Sequence, residues 1–243
     1  MKYVIINGSP RVGNTCKVIG QVKRNLKGEF EEIHLAREDI GLCRGCYNCI
    51  MFGEDRCPHY KKLNPIFEKI KGCDGIIIGS PVYAMNVTAL LKNFIDHTAY
   101  LYHRPEFFEK KALVVVTTAG AGQKKVAKYI DETLRHWGVN KVHKITMACG
   151  GKETLETKEI DKVSKKFGGD VESGKLHSPK FADVLYFNIW KAMAVSSEPI
   201  EADRDYWHET GLVYHDFAPE VKLNPFKSLF SKLMFFIMKK VLK

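Results

Sequence analysis

The chain has 243 residues, 45% of them hydrophobic and 27% charged, and a formal charge of +10. That length and balance exclude a disordered chain and describe one soluble globular domain with an extension. Lys222, Lys227, Lys232, Lys239, Lys240 and Lys243 contribute six of the charges from a tail without Asp or Glu, and the surplus of four left elsewhere excludes a basic nucleic-acid face interleaved with stacking aromatics.

The elements begin with a strand over Tyr3 to Asn7, whose consecutive Val4, Ile5 and Ile6 suit burial on both faces. The loop GSPRVGNT follows and leads into a helix over Thr15 to Leu26. Ser9, Pro10, Arg11, Gly13, Asn14 and Thr15 offer hydroxyl donors, a guanidinium fork and free backbone N–H groups at a helix start, the composition of a phosphate socket. Its spacing is neither GxGxxG nor GxxxxGK[ST], which disfavours a dinucleotide or nucleoside triphosphate and leaves a monophosphate. The plainer alternative is a turn in which Ser9 or Asn14 caps the helix.

A second strand is expected over Glu31 to Ala36. After it come Cys43, Cys46, Cys49 and Cys57, two CxxC steps sharing a central cysteine and then the longer gap IMFGEDR. Four thiolates match the requirement of a 4Fe-4S cluster; soft sulfur ligands also suit zinc, and reduced thiols are the third possibility. His59 reads as a solvent-facing loop residue, and Cys16, Cys73 and Cys149 as small buried hydrophobes.

A helix over Leu63 to Ile70 precedes the third strand, Gly75 to Ser80, and the loop Pro81, Val82, Tyr83, Ala84, Met85, Asn86 places aromatic and apolar side chains beside polar backbone. The helix over Val87 to Thr98 carries Lys92 and Asp96 as an i, i+4 pair, and His97 at its end, where the helix dipole favours a cation. The fourth strand, Ala112 to Thr118, runs into Thr118, Gly120 and Gly122, a loop that permits close backbone approach. A helix over Gln123 to Trp137, a strand over Lys144 to Ala148 and a helix over Glu156 to Phe167 complete an α/β alternation. It predicts a doubly wound five-stranded parallel sheet with ligands at the carboxyl ends of its strands.

GSPRVGNT followed by GSPVYAMNVTALLKNFIDH resembles the flavodoxin-like NAD(P)H-dependent FMN reductases, and the cysteine spacing is similar to that of the iron–sulfur flavoproteins among them. The resemblance covers residues 1–170. It implies that the first loop holds FMN phosphate, that Pro81 to Asn86 lies against the isoalloxazine, and that Thr118 to Gly122 completes the site. It implies an FMN-dependent oxidoreductase that takes hydride from NADH or NADPH and reduces a small-molecule or protein acceptor, without a catalytic side chain. The alternative it offers is an electron carrier holding a 4Fe-4S cluster on Cys43, Cys46, Cys49 and Cys57 and exchanging electrons with a ferredoxin-like partner. A homodimer or homotetramer is implied with it.

The expected domains are therefore 1–170, an FMN-binding unit with a cysteine-rich insertion at 41–60, and 171–243, a mainly helical extension. In the extension, Tyr186, Phe187, Trp190 and Met193 recur at helical spacing and suit packing, with a lid as the sharper alternative; Asp205, Tyr206 and Trp207 carry no assignable role. Asn224 to Lys243 is a cationic amphipathic helix, expected to dock on a partner subunit in preference to a membrane. No leader-like stretch precedes the first strand, and Lys232 interrupts the most apolar late segment, so the expected location is cytoplasmic.

Overall fold

Five strands, three of them apolar runs, form a single parallel sheet in this computed structural model, which describes residues 1–150 and 157–242. In chain order the elements are β1 (Lys2–Asn7), α1 (Asn14–Asn25), β2 (Glu29–His34), α2 (Asn48–Met51), α3 (Tyr60–Lys71), β3 (Gly75–Pro81), α4 (Ala89–Asp96), α5 (Tyr100–His103), β4 (Lys111–Thr118), α6 (Gln123–His136), β5 (Lys141–Ala148), α7 (Thr157–Glu172), α8 (Phe181–Ala194), α9 (Glu201–Glu209) and α10 (Pro225–Val241). The strand order is β2-β1-β3-β4-β5, with Val4 paired to Ile76 and Ile76 to Ala112. That order reverses direction between β1 and β3, which makes the carboxyl ends of these two strands the topological switch point of a flavodoxin-like sheet.

Two cores flank the sheet. On one face α3, α4 and α6 bury Phe67, Phe94, Leu134 and Trp137 against Val4, Ile76 and Val114. On the other, α1 and α7 bury Val18, Ile19, Val22 and Phe167 against Ile5, Ile77 and Val115. Burial on both faces explains why β4 is inaccessible along its whole length and reads as an unbroken apolar run. A third core joins Phe187 of α8 and Trp207 of α9 to Phe108 and Phe217.

Among the boundaries that differ from the sequence expectation, three lie beside identifiable contacts. β2 starts at Glu29 because Glu29 N–H donates to Met1 O at 2.9 Å, and a Cβ on the preceding Gly28 would lie 2.1 Å from that same oxygen. β5 starts at Lys141: polar Lys141, His143 and Lys144 hide the strand, but His143 pairs with Asp170 and Lys144 with Asp131, each at 2.8 Å. α7 continues through Gly168 and Gly169 to Glu172, where a Cβ at Gly168 would stand 2.7 Å from Leu26 Cδ2 at the end of α1. Glu156, the expected first residue of that helix, and Lys243 of the tail lie outside the described residues.

Candidate functional site

The loop after β1 is fixed by its own polar atoms. Ser9 N–H donates to Asn7 Oδ1 at 3.0 Å and its hydroxyl donates to Arg11 O at 2.7 Å, which folds the chain back on itself. Gly8 N–H donates to Gly79 O at 2.8 Å, and Thr88 Oγ1 donates to Gly8 O at 2.7 Å, tying the loop to β3 and to the start of α4. Gly13 occupies the cap position of α1, and no side chain caps the helix. The plainer reading, with Ser9 or Asn14 as the cap, is thereby replaced: the first-turn N–H groups keep the anion-binding character of an uncapped helix start. Pro10 and Arg11 are exposed, Gly13 and Asn14 half-buried. Thr15 is buried, its hydroxyl 2.7 Å from that of Thr117 on β4; a hydroxyl in one hydrogen bond retains capacity for another.

The loop after β3 is a strained two-residue hairpin. Tyr83 N–H donates to Asn86 O and Asn86 N–H to Tyr83 O, both at 2.9 Å, while Ala84 and Met85 take φ values of 46° and 63°. Positive φ at both central positions is the turn geometry normally given to Asn-Gly, and here two residues with Cβ atoms bear it. Strain of this kind, about 1–2 kcal/mol per residue, concentrates at ligand sites. It holds Tyr83 and Met85 outward, both exposed. Val82 N–H donates to Thr117 O at 2.8 Å, which anchors the hairpin to β4.

The loop after β4 closes against that hairpin. Thr118 Oγ1 donates to Ala121 O at 2.9 Å and accepts from Gly120 N–H at 3.2 Å. Gly122 has φ 92°, and a Cβ there would stand 3.0 Å from Met85 Sδ and 3.1 Å from Val82 Cγ1. A Cβ at Gly120 would meet nothing, so this position faces open space. All three expected loops thus converge on the carboxyl edge of β1, β3 and β4.

Cys43, Cys46, Cys49 and Cys57 line one cavity of about 320 Å³, together with His59 and His97. Among the described residues no three or more His, Cys, Asp or Glu side chains form a group that could hold a metal ion. Four thiols ring the space without converging on one point. Burial pushes the Cys49 thiol up to about 11, and the neighbouring Cys57, Cys43 and Cys46 add to the rise; Cys57 is raised in the same way, by burial first.

Side chains remote in sequence hold this segment. Cys43 N–H donates to Asn93 Oδ1 at 2.9 Å, and Asn93 Nδ2 donates to Gly41 O at 3.2 Å. Buried His97 has Nε2 at 2.9 Å from Gly41 O and Nδ1 at 3.8 Å from Cys57 Sγ, with its pKa lowered chiefly by burial. A neutral imidazole gains little from a helix dipole, so the expected role for His97 gives way to that of a bridge beneath the cysteine segment. His59 likewise faces the cavity, its ring 5.2 Å from that of His97. Arg104 donates from Nη2 to Cys49 O at 2.5 Å and from Nη1 to Ile50 O at 3.1 Å, and the same Nη1 meets Asp203 Oδ1 of α9 at 2.5 Å. Thr117, Arg104 and Asp203 lie outside the motifs, Asn93 lies within GSPVYAMNVTALLKNFIDH without a role of its own there, and nothing in the local pattern singles them out. Cys73 and Cys149 are buried as expected, whereas Cys16 is half-buried beside the first loop, 3.6 Å from Arg11 O. Lys92 and Asp96 form the expected ion pair.

A flavodoxin-like sheet with three loops gathered at the carboxyl ends of its strands is a frame that flavin-dependent oxidoreductases use. The chain belongs to the family of NADPH-dependent FMN reductases, which it matches over residues 1–153. It is 29% identical over 222 residues to an iron-sulfur flavoprotein of Archaeoglobus fulgidus, an alignment covering 88% of this chain and 100% of that one. An iron-sulfur flavoprotein of Clostridioides difficile is 28% identical over 229 residues, again with 88% and 100% covered. Among solved structures, an NAD(P)H:quinone oxidoreductase from Methanothermobacter marburgensis shares the fold with a TM-score of 0.53 at 18% identity, covering 74% of this chain and 99% of that one.

Proposed function

We propose that the chain is an iron–sulfur flavoprotein: an FMN-dependent oxidoreductase that draws on NADH or NADPH, carries a 4Fe-4S cluster on Cys43, Cys46, Cys49 and Cys57, and reduces a small-molecule or ferredoxin-like acceptor. The observation that carries this reading is the single cavity of about 320 Å³ with all four cysteines in its wall. A cubane presents one iron to each thiolate, so its ligands ring a space, whereas a lone zinc ion draws its ligands to one point. The donor set fits the cluster in number and chemistry. The relatives named for both centres support the same reading.

FMN, when bound, supplies hydride acceptance and single-electron release, and the cluster supplies one-electron transfer. The chain's own task is to bind and orient. Ser9, Pro10, Arg11, Gly13, Asn14 and Thr15 would hold the phosphate, through N–H groups at the start of α1, the Arg11 guanidinium and hydroxyl contacts. Pro81, Val82, Tyr83, Ala84, Met85 and Asn86 would form the platform for the ring, with Tyr83 and Met85 turned outward by the strained hairpin. Thr118, Gly120 and Gly122 would flank it, the open space at Gly120 admitting a ligand close to the backbone. No side chain is assigned an acid or base role. Asn93, His97 and Arg104 position the cysteine segment.

The deciding measurement is the visible spectrum of anaerobically purified protein before and after reduction, with iron and acid-labile sulfide determined on the same sample. The expected result is a flavin spectrum overlaid by broad absorption that bleaches, with about four irons per chain. Flavin without iron would leave a simple FMN reductase with free thiols, and colourless protein containing zinc would overturn both assignments.

A further inference from the structure

Helix α10 is mounted through a mixed face, Ser228 and Ser231 together with the half-buried Phe230, Met234, Phe235 and Met238. Ser228 Oγ donates to Asp216 Oδ2 at 2.6 Å, Asn188 Nδ2 of α8 donates to Ser231 Oγ at 2.8 Å, and Ser231 Oγ donates in turn to Asp216 O. Lys191 of α8 places its Nζ 4.4 Å from the centre of the Phe235 ring. The opposite side of the helix presents Phe226, Leu229, Leu233 and Phe236 at 3,4,3 spacing, with 79%, 68%, 51% and 57% of their surface accessible. Phe181 of α8, also exposed, meets Phe230 with ring centres 5.2 Å apart and widens the stripe. A helix that served only to complete the core would not leave a second apolar stripe in solvent.

The charge on α10 is of one sign. Lys227, Lys232, Lys239 and Lys240 lie on it, and the sequence from Val221 onward has no Asp or Glu. On a helical projection Lys232 and Lys239 border the apolar stripe, and Lys240 lies within it, its Nζ 4.3 Å from the centre of the Phe236 ring. Interface centres between proteins are depleted in lysine, whereas an aromatic and leucine stripe edged by lysines is the composition of a helix lying in a lipid headgroup layer. No helix of the described residues is long and apolar enough to cross a membrane.

We propose that α10 docks the protein onto an anionic phospholipid surface, with Phe226, Leu229, Leu233 and Phe236 at the acyl boundary and the lysines among the headgroups. This replaces the expectation of a subunit contact for the same helix, and it does not depend on the assignment of the cysteines.

The test is co-sedimentation of the full-length, FMN-loaded protein with vesicles of phosphatidylglycerol and phosphatidylcholine, and with vesicles of phosphatidylcholine alone. The protein is expected to pellet with the anionic vesicles, to stay in solution with the neutral ones, and to be released by added salt. Lys232→Gln with Lys239→Gln should lower the partition coefficient about 25-fold, at roughly fivefold per lysine. Leu233→Glu with Phe236→Glu should abolish partition while leaving flavin content, melting temperature and nicotinamide oxidation unchanged. Equal binding to both vesicle types, binding that survives the glutamate pair, or no binding at all would overturn the proposal. A fall in assembly state caused by the glutamate pair, read by light scattering and without lipid binding in the unaltered protein, would assign the stripe to a subunit interface instead.

Discussion

Removing the Asp203 carboxylate should loosen the cysteine segment from a distance. Arg104 and Asp203 are only 2% and 3% exposed, and the guanidinium sits between the carboxylate and two backbone carbonyls, Cys49 O and Ile50 O. Asp203→Ala leaves a buried cation with no buried counter-charge; Glu54, at 3.8 Å from Nη2 and partly exposed, compensates little. Breaking such a pair costs about 3–5 kcal/mol, which for a domain of this size lowers the melting temperature by roughly 6–20 °C. His103 Nδ1, 2.8 Å from the other carboxylate oxygen, loses its partner in the same variant.

Thermal and urea unfolding of Asp203→Ala beside Asp205→Ala is the assay. Asp205 pairs with Arg204 at the surface, both side chains about half exposed, and a contact of that kind is worth about 0–1 kcal/mol. In cluster-free protein the alkylation rate of Cys49 should rise in Asp203→Ala and not in Asp205→Ala, because Arg104 no longer has a fixed place from which to hold the Cys49 carbonyl. Equal, small losses in the two variants, or an unchanged alkylation rate, would refute the reasoning that this buried pair organises the segment.

Three further substitutions examine the flavin loops and the edge of the sheet. Thr15→Ala should raise the Kd for FMN about fivefold, as for one hydroxyl contact, and Arg11→Ala by more, as for a charge-assisted one; titration of the apoprotein by fluorescence checks both, and unchanged affinity in the pair would sink the phosphate assignment. His143 is buried, and desolvation lowers its pKa against the opposing pull of Asp170. Unfolding restores a value of about 6.5, so below that pH the unfolded chain binds a proton that the folded chain refuses, and stability falls until the folded pKa is passed. Asp170, held low by His143 and His177 against the burial that would raise it, contributes stability that is lost only in a more acid window. His143→Gln should therefore reduce the slope of urea stability just below pH 6.5 by up to about 1.4 kcal/mol per pH unit, leaving the share of His97 and His136, which burial also lowers; an unaltered slope would exclude His143 as a source.

The parts of the site legible in the sequence were those written in local pattern. β1, β3 and β4 are unbroken apolar runs because both faces of the sheet are covered, and each ends in a loop whose glycines, hydroxyls or aromatics announce contact. The cysteine spacing is equally local. The strain at Ala84 and Met85 leaves no signature, since neither residue prefers positive φ and the surrounding hydrogen bonds impose it. Arg104 and Asp203 are 99 residues apart, a separation over which no periodicity survives. The inward turn of Ser228 and Ser231 is invisible for a similar reason: their partners Asp216 and Asn188 belong to other elements.

The extension after residue 170 bears most heavily on one short piece of the flavin domain. Trp207 Nε1 donates to His103 O at 3.0 Å, Tyr206 OH donates to Pro105 O, Trp190 stacks on His103 with ring centres 3.8 Å apart, and Asp203 engages both His103 and Arg104. The cysteine segment has little core of its own: neither α2 nor the 3₁₀ turn over Glu54–Arg56 contains a buried residue. Its order is supplied by Asn93 and His97 at the end of α4 and by Arg104 after α5, and of these Arg104 is the one the extension grips. Electron transfer to or from a cofactor requires a fixed distance and orientation, which a segment without a core cannot provide alone. Deletion of the extension should therefore free the cysteines while leaving the hydrogen bonds of the β1, β3 and β4 loops in place.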